Sequence, residues 1–390
     1  MAASRLANLL LFFCCASVVT VATATEKVPG KTKGFFGEVD KNSNTVVVDP
    51  ATAGALKSGL TTVFLPIVYI VVFIVGLPAN IMALWVFLFR TKKKHPATIY
   101  MANLAVSDLL FVIWIPLKIA YHFNGNNWIY GEGLCKVLIG FFYGNMYCSI
   151  LFITCLSVQR YWVVAHPFSQ LKTNNRVALL LSLFIWLFIW VSTTPLYLYQ
   201  QTAYISDLGI TTCHDVSRID PEHVFESIQH SYYYFMTMAG VAFLIPSVVI
   251  IVAYAMLLRA VGNSMGEGSA GKNRRKAVVL IITVLVVFLV SFIPSNVMLV
   301  VHYSLLRAGA ENNAYGFYVT TLCMASLNSC LDPFIYYFVS DDFREHVKNV
   351  LLCRSNRTVE RMRVSFSSMK YSTKTKTYLS ENSTTQTSSC

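Results

Sequence analysis

The chain has 390 residues, of which 55% are hydrophobic and only 13% are charged. A soluble domain gives about a quarter of its residues to charge, so this composition excludes an ordinary soluble protein. The formal net charge is +12, but the basic residues stand in short clusters between long apolar runs. That distribution favours a membrane over a nucleic-acid partner.

The first 24 residues have the pattern of a secretory signal peptide. Arg5 precedes a short apolar run, and the segment ends in small residues up to Ala24. The run is shorter than the about 20 residues that a membrane span needs. We therefore predict that residues 1–24 are removed and that residues 25–60 form an extracellular tail.

One stretch of this tail stands out. Residues 28–40 read VPGKTKGFFGEVD, a polar segment with Pro and Gly in which an aromatic pair follows a lysine. Such a segment buries too little apolar surface to fold alone. We expect residues 34–60 to form a flexible tether.

Seven apolar runs follow, each about as long as a bilayer span. Their approximate ranges are 61–89, 98–122, 136–164, 177–198, 231–258, 276–302 and 314–338. The loops after the first, third and fifth runs are basic, and the loop after the fourth is acidic, so the basic loops face the cytoplasm. The predicted fold class is an all-α membrane protein with a seven-helix transmembrane bundle over residues 61–338.

Two cysteines are predicted to face the oxidising side of the membrane. Cys135 lies at the mouth of the third span and Cys213 in the loop after the fourth, whereas the others lie in the signal, in spans or in the cytosol. Two candidates allow one disulfide bond. That bond would tie the longest outer loop over the bundle.

Two carboxylic acids lie inside predicted spans, where charge is costly and usually functional. They are Asp108 and Asp332, and Asn80 and Asn328 could share their network. We hypothesise a sodium ion held by Asp108, Asp332 and Asn328.

Prolines interrupt the last three spans, at Pro246, Pro294 and Pro333. Each one frees a backbone carbonyl and kinks its helix. Together with the buried acids, these kinks indicate a conformational switch.

The segment 339–353 has apolar residues at helical spacing with charges on the other face. It predicts a short amphipathic helix at the inner leaflet, with a lipid anchor at Cys353. Residues 354–390 are rich in Ser and Thr and predict a disordered cytoplasmic tail.

A set of motifs through all seven spans resembles the class A (rhodopsin-like) G-protein-coupled receptors. They are Asn80, Leu104 and Asp108 in LAVSD, Arg160-Tyr161, Trp186, Pro246, the run from Phe288 to Pro294, and Asp332-Pro333-Phe334-Ile335-Tyr336. Three departures are Gln159 before the arginine, Phe292 in SFIP, and Asp332 before Pro333. Longer stretches, among them SVQRYW, TTCHDV and LNSCLDPFIYYFVS, are similar to the protease-activated receptors.

This resemblance implies a function for the unusual stretch of the tail. In that family an extracellular serine protease cuts after a basic residue, and the new terminus acts as a tethered ligand. The matching bond is Lys33–Gly34, and the ligand would be Gly34, Phe35, Phe36, Gly37, Glu38 and Val39. A lysine with no acidic aromatic cluster after it indicates a trypsin-like protease rather than thrombin. Tethering gives an effective concentration that is roughly millimolar.

The resemblance also implies residue roles. The ligand pocket would be lined by His214, Asp215, Tyr303, Tyr315 and Tyr318, with Asp215 receiving the new ammonium group. The switch and the G-protein-coupling network would comprise Asn80, Asp108, Arg160, Tyr161, Tyr254, Phe292, Pro294, Asn328, Asp332, Pro333 and Tyr336. Because Gln159 replaces the usual acid, an ionic restraint on Arg160 is not expected.

The implied partners are heterotrimeric G proteins, of the calcium-mobilising Gq type, together with arrestins, receptor kinases and the lipid bilayer. No catalytic residues and no nucleic-acid partner are expected. The alternative is a class A receptor for a diffusible peptide, with an inert tail. A light-driven opsin is excluded because residues 313–339 contain no lysine, and a transporter is disfavoured because no repeated halves occur.

Overall fold

The computed structural model describes residues 36–40, 45–48, 50–91, 94–166, 174–219, 224–263, 269–308 and 315–351. The predicted signal peptide, the cleavage site at Lys33 and Gly34, the ligand residue Phe35, the lipidation site Cys353 and the tail 354–390 lie outside these residues. The chain divides into two units, Met1–Val339 and Ser340–Cys390.

Seven helices among the described residues are long and apolar enough to cross a membrane. In chain order, spans one to seven are Leu60–Arg90, Pro96–Phe123, Gly131–Ala165, Asn175–Leu198, Ile228–Val261, Val278–Leu305 and Gly316–Val339. Large apolar side chains such as Ile74, Leu180 and Ile251 point out of the bundle, as expected where lipid replaces water. The prediction of seven spans is confirmed.

The helical segments within and around these spans are α1 Pro50–Lys57, α2 Leu65–Trp85, α3 Pro96–Val112, α4 Ile115–Phe123, α5 Gly131–Ala165, α6 Asn175–Leu198, α7 Val224–Met238, α8 Ile245–Asn263, α9 Ser269–Val287, α10 Ile293–Arg307, α11 Tyr315–Ala325, α12 Asn328–Val339 and α13 Asp341–Leu351. Span three is the central helix and packs against spans two, four and five.

Wide π-type turns lie directly before two of the predicted proline kinks. Ala239–Leu244 precedes Pro246 and Phe288–Phe292 precedes Pro294. Proline has no backbone N–H and its ring collides with the carbonyl four residues earlier, so a wider turn relieves both problems. Span seven differs, because its break falls at residues 326–327, ahead of Asn328, and Pro333 lies inside α12.

A five-stranded sheet covers the outer end of the bundle, meaning the end near Cys135. Its strands are β1 Phe36–Asp40, β2 Thr45–Val47, β3 Thr202–Ile205, β4 Ile210–Cys213 and β5 Ser217–Ile219, and their order across the sheet is β4-β3-β2-β1-β5. The loop after span four supplies three strands, and the tail supplies the two that lie between them. Parallel pairing joins β1 to β5 and β2 to β3, whereas β1 with β2 and β3 with β4 are antiparallel.

The tail also carries α1, which is docked on the bundle. Asn126 donates from Nδ2 to the Leu56 carbonyl at 2.6 Å and to Thr61 Oγ1 at 2.9 Å, and Leu56 is 1% exposed. The expectation of a flexible tether over 34–60 is therefore wrong for the described part of the tail. The partners lie far away in sequence, so the composition of the tail alone does not reveal them.

The second unit contains α13, which covers Asp341–Leu351. Ser340 Oγ accepts a hydrogen bond from the Phe343 backbone N–H at 3.2 Å, which caps the helix start. Asp341 and Asp342 stand in its first turn and Lys348 in its last, which complements the helix dipole. Its position at the inner leaflet stays a prediction.

Candidate functional site

The outer loop is fastened to span three by a disulfide bond and by a carboxylate. Cys135 and Cys213 are bonded, with their Cα atoms 5.8 Å apart, which confirms the predicted pairing. One turn earlier, Glu132 accepts hydrogen bonds from the backbone N–H groups of Gln201 at 2.7 Å and Thr202 at 2.9 Å. Sequence analysis did not identify Glu132, because its partners are backbone N–H groups and no sequence motif marks such a contact.

His214 follows this anchor and faces the bundle interior. Its backbone φ is +70°, a left-handed conformation that is uncommon for a residue with a side chain. Its N–H donates to the Gln201 carbonyl at 2.8 Å, and Nδ1 lies 2.9 Å from Gln201 Oε1. Burial lowers the pKa of His214 to about 4, with Lys118 lowering it further and Asp215 opposing the shift.

The ring of His214 is therefore neutral at pH 7, and its two nitrogens have different roles. Gln201 Oε1 can only accept, so Nδ1 donates to it. Nε2 then accepts from Tyr143 Oη at 3.1 Å. Tyr143 Oη is also 3.4 Å from Tyr318 Oη, which links two of the predicted pocket residues through span three.

Aromatic rings continue from Tyr318 across spans six and five. His302 stacks on Tyr318 with ring centroids 4.7 Å apart, and Tyr303 stacks on Phe235 at 4.3 Å. His302 and Tyr303 are themselves in edge contact at 5.0 Å. The structure thus brings His214, Tyr303 and Tyr318 into one aromatic cluster, while Tyr315 is the first residue of α11.

Asp215 is held next to this cluster by a phenol from span two. It is 8% exposed, and Tyr121 Oη donates a short hydrogen bond to its Oδ2. The ammonium of Lys118 lies 4.9 Å from the centroid of the Tyr121 ring. The arrangement presents a fixed, buried carboxylate beside aromatic faces, which suits a cation attached to an apolar ligand.

Four of the six predicted ligand residues lie in β1, which pairs with the outer loop. They are Phe36, Gly37, Glu38 and Val39. The register pairs Phe36 with Ser217, Gly37 with Arg218 and Glu38 with Ile219. The ligand segment is thus already hydrogen-bonded to the loop that carries Asp215.

The buried polar network in the middle of the bundle is centred on Asp108. Its carboxylate accepts from Asn145 Nδ2 at 2.9 Å, Ser329 Oγ at 3.0 Å and Tyr336 Oη at 3.3 Å. Span three and span seven are thereby tied to span two. Sequence reasoning missed Asn145 and Ser329, since an isolated Asn or Ser in an apolar helix carries little signal.

Two predicted asparagines join the same network. Asn328 donates to Asn145 Oδ1 and to Ser149 Oγ, both at 3.1 Å. Asn80 donates to the Ser329 carbonyl at 2.8 Å. Asp332 is fully buried as well, and neither oxygen of its carboxylate has a hydrogen-bond partner among the described residues.

The inner end carries Arg160, which does not face an acid in its own motif. Its guanidinium donates to the Val339 carbonyl at 2.7 Å, at the end of span seven. Tyr254, from span five, interacts with Arg160 electrostatically. Tyr161 packs edge-on against His166 at 6.2 Å, and Phe292 is fully buried against Phe288 at 5.1 Å.

Comparison with known proteins agrees with this architecture. Residues 79–336 match the model of the 7 transmembrane receptor (rhodopsin family). The chain is 55% identical over 369 residues to proteinase-activated receptor 2 of Bos taurus, covering 91% of this chain and 92% of the relative. The values for proteinase-activated receptor 2 of Homo sapiens are 53% over 368 residues, 92% and 91%.

A more distant relative is proteinase-activated receptor 1 of Xenopus laevis, with 40% identity over 302 residues, covering 77% of this chain and 69% of the relative. All three relatives are receptors, so the prediction of a multi-pass membrane receptor rather than an enzyme is confirmed. The chain belongs to the rhodopsin family of seven-transmembrane receptors and, within it, to the proteinase-activated receptors.

Proposed function

We propose that a trypsin-like serine protease activates this receptor by cutting after Lys33, and that the terminus beginning at Gly34 is its agonist. The observation that carries the proposal is the position of β1. Phe36, Gly37 and Glu38 pair with Ser217–Ile219 of the outer loop, which begin two residues beyond Asp215. The predicted ligand segment is therefore next to the part of the outer loop that carries the predicted ligand-binding residues.

Cleavage changes the charge of the ligand. Before it, the nitrogen of Gly34 is an uncharged amide; after it, the nitrogen is an α-amino group with a pKa of about 7.7–8.0. The buried carboxylate of Asp215 is the proposed counter-ion. The pairing of Phe36 with Ser217 keeps the ligand segment close to this carboxylate before cleavage.

The aromatic cluster supports the rest of the ligand. His214, Tyr303 and Tyr318 offer flat apolar faces with polar tips, which is what Phe35 and Phe36 need from a pocket close to water. Tyr315, at the start of α11, is a further member of the proposed pocket.

The inner half of the bundle would pass the signal to a heterotrimeric G protein of the calcium-mobilising type. In this proposal, the residues that transmit the signal are Arg160, Tyr161, Tyr254 and Tyr336. Outward bending of spans five and six at the turns before Pro246 and Pro294 would open the inner face. Arrestins and receptor kinases, acting on the Ser/Thr-rich tail, would end the signal.

A sodium ion fits the central network. Both oxygens of Asp332 lack hydrogen-bond partners among the described residues, and Asp108 and Asn328 supply further oxygens in the same buried region. When bound, the ion would offset the mutual repulsion of two carboxylates that burial brings together. Asp108, Asp332 and Asn328 would hold it and thereby tie span two to span seven.

The cleavage proposal is tested by trypsin treatment of cells that carry the receptor, with intracellular calcium as the readout. Lys33→Ala should abolish the response, because trypsin needs a basic residue before the cut. The matched control Lys31→Ala, two residues upstream, should leave it intact. Synthetic Gly-Phe-Phe-Gly-Glu-Val amide should activate both variants.

Two results would contradict this. A full trypsin response of Lys33→Ala would move the cut elsewhere. Silence of the receptor towards both trypsin and the synthetic peptide would favour a diffusible ligand of another sequence.

A further inference from the structure

We propose that the tail binds the outer loop as a two-stranded hairpin in which β2 is a permanent anchor and β1 is the strand that leaves both β5 and β2 on activation. This inference rests on the proposed function, since it assigns different roles to two neighbouring segments of the same tail. Strand β1 contains ligand residues and is paired in the sheet before cleavage. Strand β2 fixes the point at which the freed segment stays attached to the receptor.

The contacts of β2 are those of an anchor. Val46 is 2% exposed, and its register partner Ile205 in β3 is completely buried. The Val46 carbonyl accepts a hydrogen bond from the Ser206 N–H at 3.2 Å. An apolar side chain that is buried in this way returns to water if the strand detaches, which costs free energy.

The chain after β2 is anchored as well, which limits what cleavage can release. Asn126 holds α1 through the Leu56 carbonyl and Thr61. Cleavage at Lys33 therefore frees about eleven residues before β2, instead of about 27 before the first span. A flexible segment of that length spans on the order of 18 Å, and the shorter tether raises the effective ligand concentration about fourfold.

Strand β1 is held differently. It lies between two strands, antiparallel to β2 over Glu38–Asp40 and parallel to β5 over Phe36–Glu38. While Phe36, Gly37 and Glu38 pair with Ser217–Ile219, the backbone of the ligand segment is committed to the sheet and cannot move to the aromatic cluster of the bundle. Loss of the β1–β5 pairing is therefore a required step of activation.

Two features keep the uncut receptor inactive in this proposal. The ligand lacks an ammonium group, and its backbone is already hydrogen-bonded to β5. Strand addition of this kind takes its affinity from main-chain hydrogen bonds. It therefore imposes little constraint on which side chains the ligand segment carries.

Cysteine pairs on the two sides of the hairpin separate the two roles. Register partners in a sheet are close enough for a disulfide bond. Glu38→Cys with Ile219→Cys would lock β1 to β5, and Val46→Cys with Ile205→Cys would lock β2 to β3. The four single-cysteine variants are the controls, and disulfide formation is scored in the intact receptor before trypsin is added.

We expect both pairs to cross-link in the uncut receptor. After trypsin, the β1–β5 pair should give no calcium signal until a mild reductant is added, at a concentration that leaves the Ile219→Cys single variant responsive. Because Glu38 belongs to the ligand, the signal of the cross-linked form is scored against that of the same variant after reduction. The β2–β3 pair should signal fully without reductant. Free Gly-Phe-Phe-Gly-Glu-Val amide should activate the β2–β3 variant in either state.

Each contrary outcome has a distinct meaning. Failure of either pair to cross-link would overturn the docked hairpin, and a full signal from the cross-linked β1–β5 variant would overturn release of β1. Loss of signal in the β2–β3 variant would overturn the anchor. By contrast, a lack of trypsin response in the three single-cysteine variants outside the ligand, Val46→Cys, Ile205→Cys and Ile219→Cys, would contradict the proposed function itself.

Discussion

At the scale of single residues, the carboxylate of Asp215 is the proposed counter-ion of the outer site. Asp215 sits two residues after the disulfide-bonded Cys213, so its backbone is fixed over the bundle. Tyr121 donates to Oδ2, which leaves lone pairs of the carboxylate for a second donor. A hydrogen bond between charged groups in such a place is worth about 1.5–3 kcal/mol.

Asp215→Asn should therefore lower the potency of the free hexapeptide amide about 10- to 100-fold. N-acetylation of the peptide should do the same on the unaltered receptor, because it removes the ammonium group. The two changes together should cost little more than either one, since both delete the same pair. Calcium dose–response curves, corrected for surface level, measure all four combinations.

Simple additivity of the two losses, or equal potency of acetylated and free peptide on the unaltered receptor, would show that no charge pair forms at the new terminus. Asp207→Asn, a carboxylate in the exposed turn of the same loop, is the control for a general change of outer charge.

At the scale of elements, the helices are joined by polar contacts at a few positions of otherwise apolar surfaces. Asp108 ties span two to spans three and seven through Asn145, Ser329 and Tyr336. Each of these groups donates to it. An amide in place of the carboxylate would present its own N–H₂ to a donor, so one partner would lose its acceptor.

Asp108→Asn should consequently reduce or abolish the calcium response to the free peptide while surface expression persists. The receptor should also lose any dependence of peptide potency on sodium, measured by replacing sodium with a large organic cation. Unchanged concentration–response curves in both media would refute the roles assigned to Asp108. Asp207→Asn again serves as the matched control.

The inner ends of the helices illustrate a second kind of restraint. Gln159 cannot pair ionically with Arg160, and the guanidinium instead donates to the last carbonyl of span seven, at Val339. Carbonyls at a helix end have no partner within the helix and carry partial negative charge. The Val339 carbonyl can therefore partly replace an acid as the hydrogen-bond partner of the Arg160 guanidinium.

At the scale of the whole molecule, a receptor with a covalently attached agonist needs an off-switch other than dissociation. The tail after Cys353 contains Ser365, Ser367, Ser368, Ser372, Thr373, Thr375 and Thr377. Each phosphate would add about −1.5 to −2 charges, which arrestin-type partners can read. This segment lies outside the described residues and its role stays a prediction.

Truncation after Cys353 should prolong the calcium signal and slow internalisation after trypsin, with an unchanged initial response. Replacement of the seven residues by Ala in the full-length chain should have the same effect, which separates loss of phosphorylation from loss of length. Unaltered signal decay in both variants would contradict an arrestin-dependent off-switch.

Much of the architecture follows from local features of the sequence. The seven spans were predictable because the bilayer imposes a length and a composition on each helix, and the Cys135–Cys213 bond because only those two thiols face the oxidising side. Asp108 and Asp332 were recognisable because buried charge in an apolar run is rare. The interruptions of spans five and six were predictable because proline has no backbone N–H and its ring collides with the carbonyl four residues earlier.

Contacts between segments far apart in the chain were decided by the tertiary structure alone. The pairing of Tyr121 with Asp215, of Asn126 with Leu56 and of Arg160 with Val339 depends on how helices and loops face each other. The tail shows this most clearly. Its composition indicates a chain that cannot fold alone, and in the structure the backbone groups of β3 and β5 give β1 and β2 the partners that the tail itself lacks.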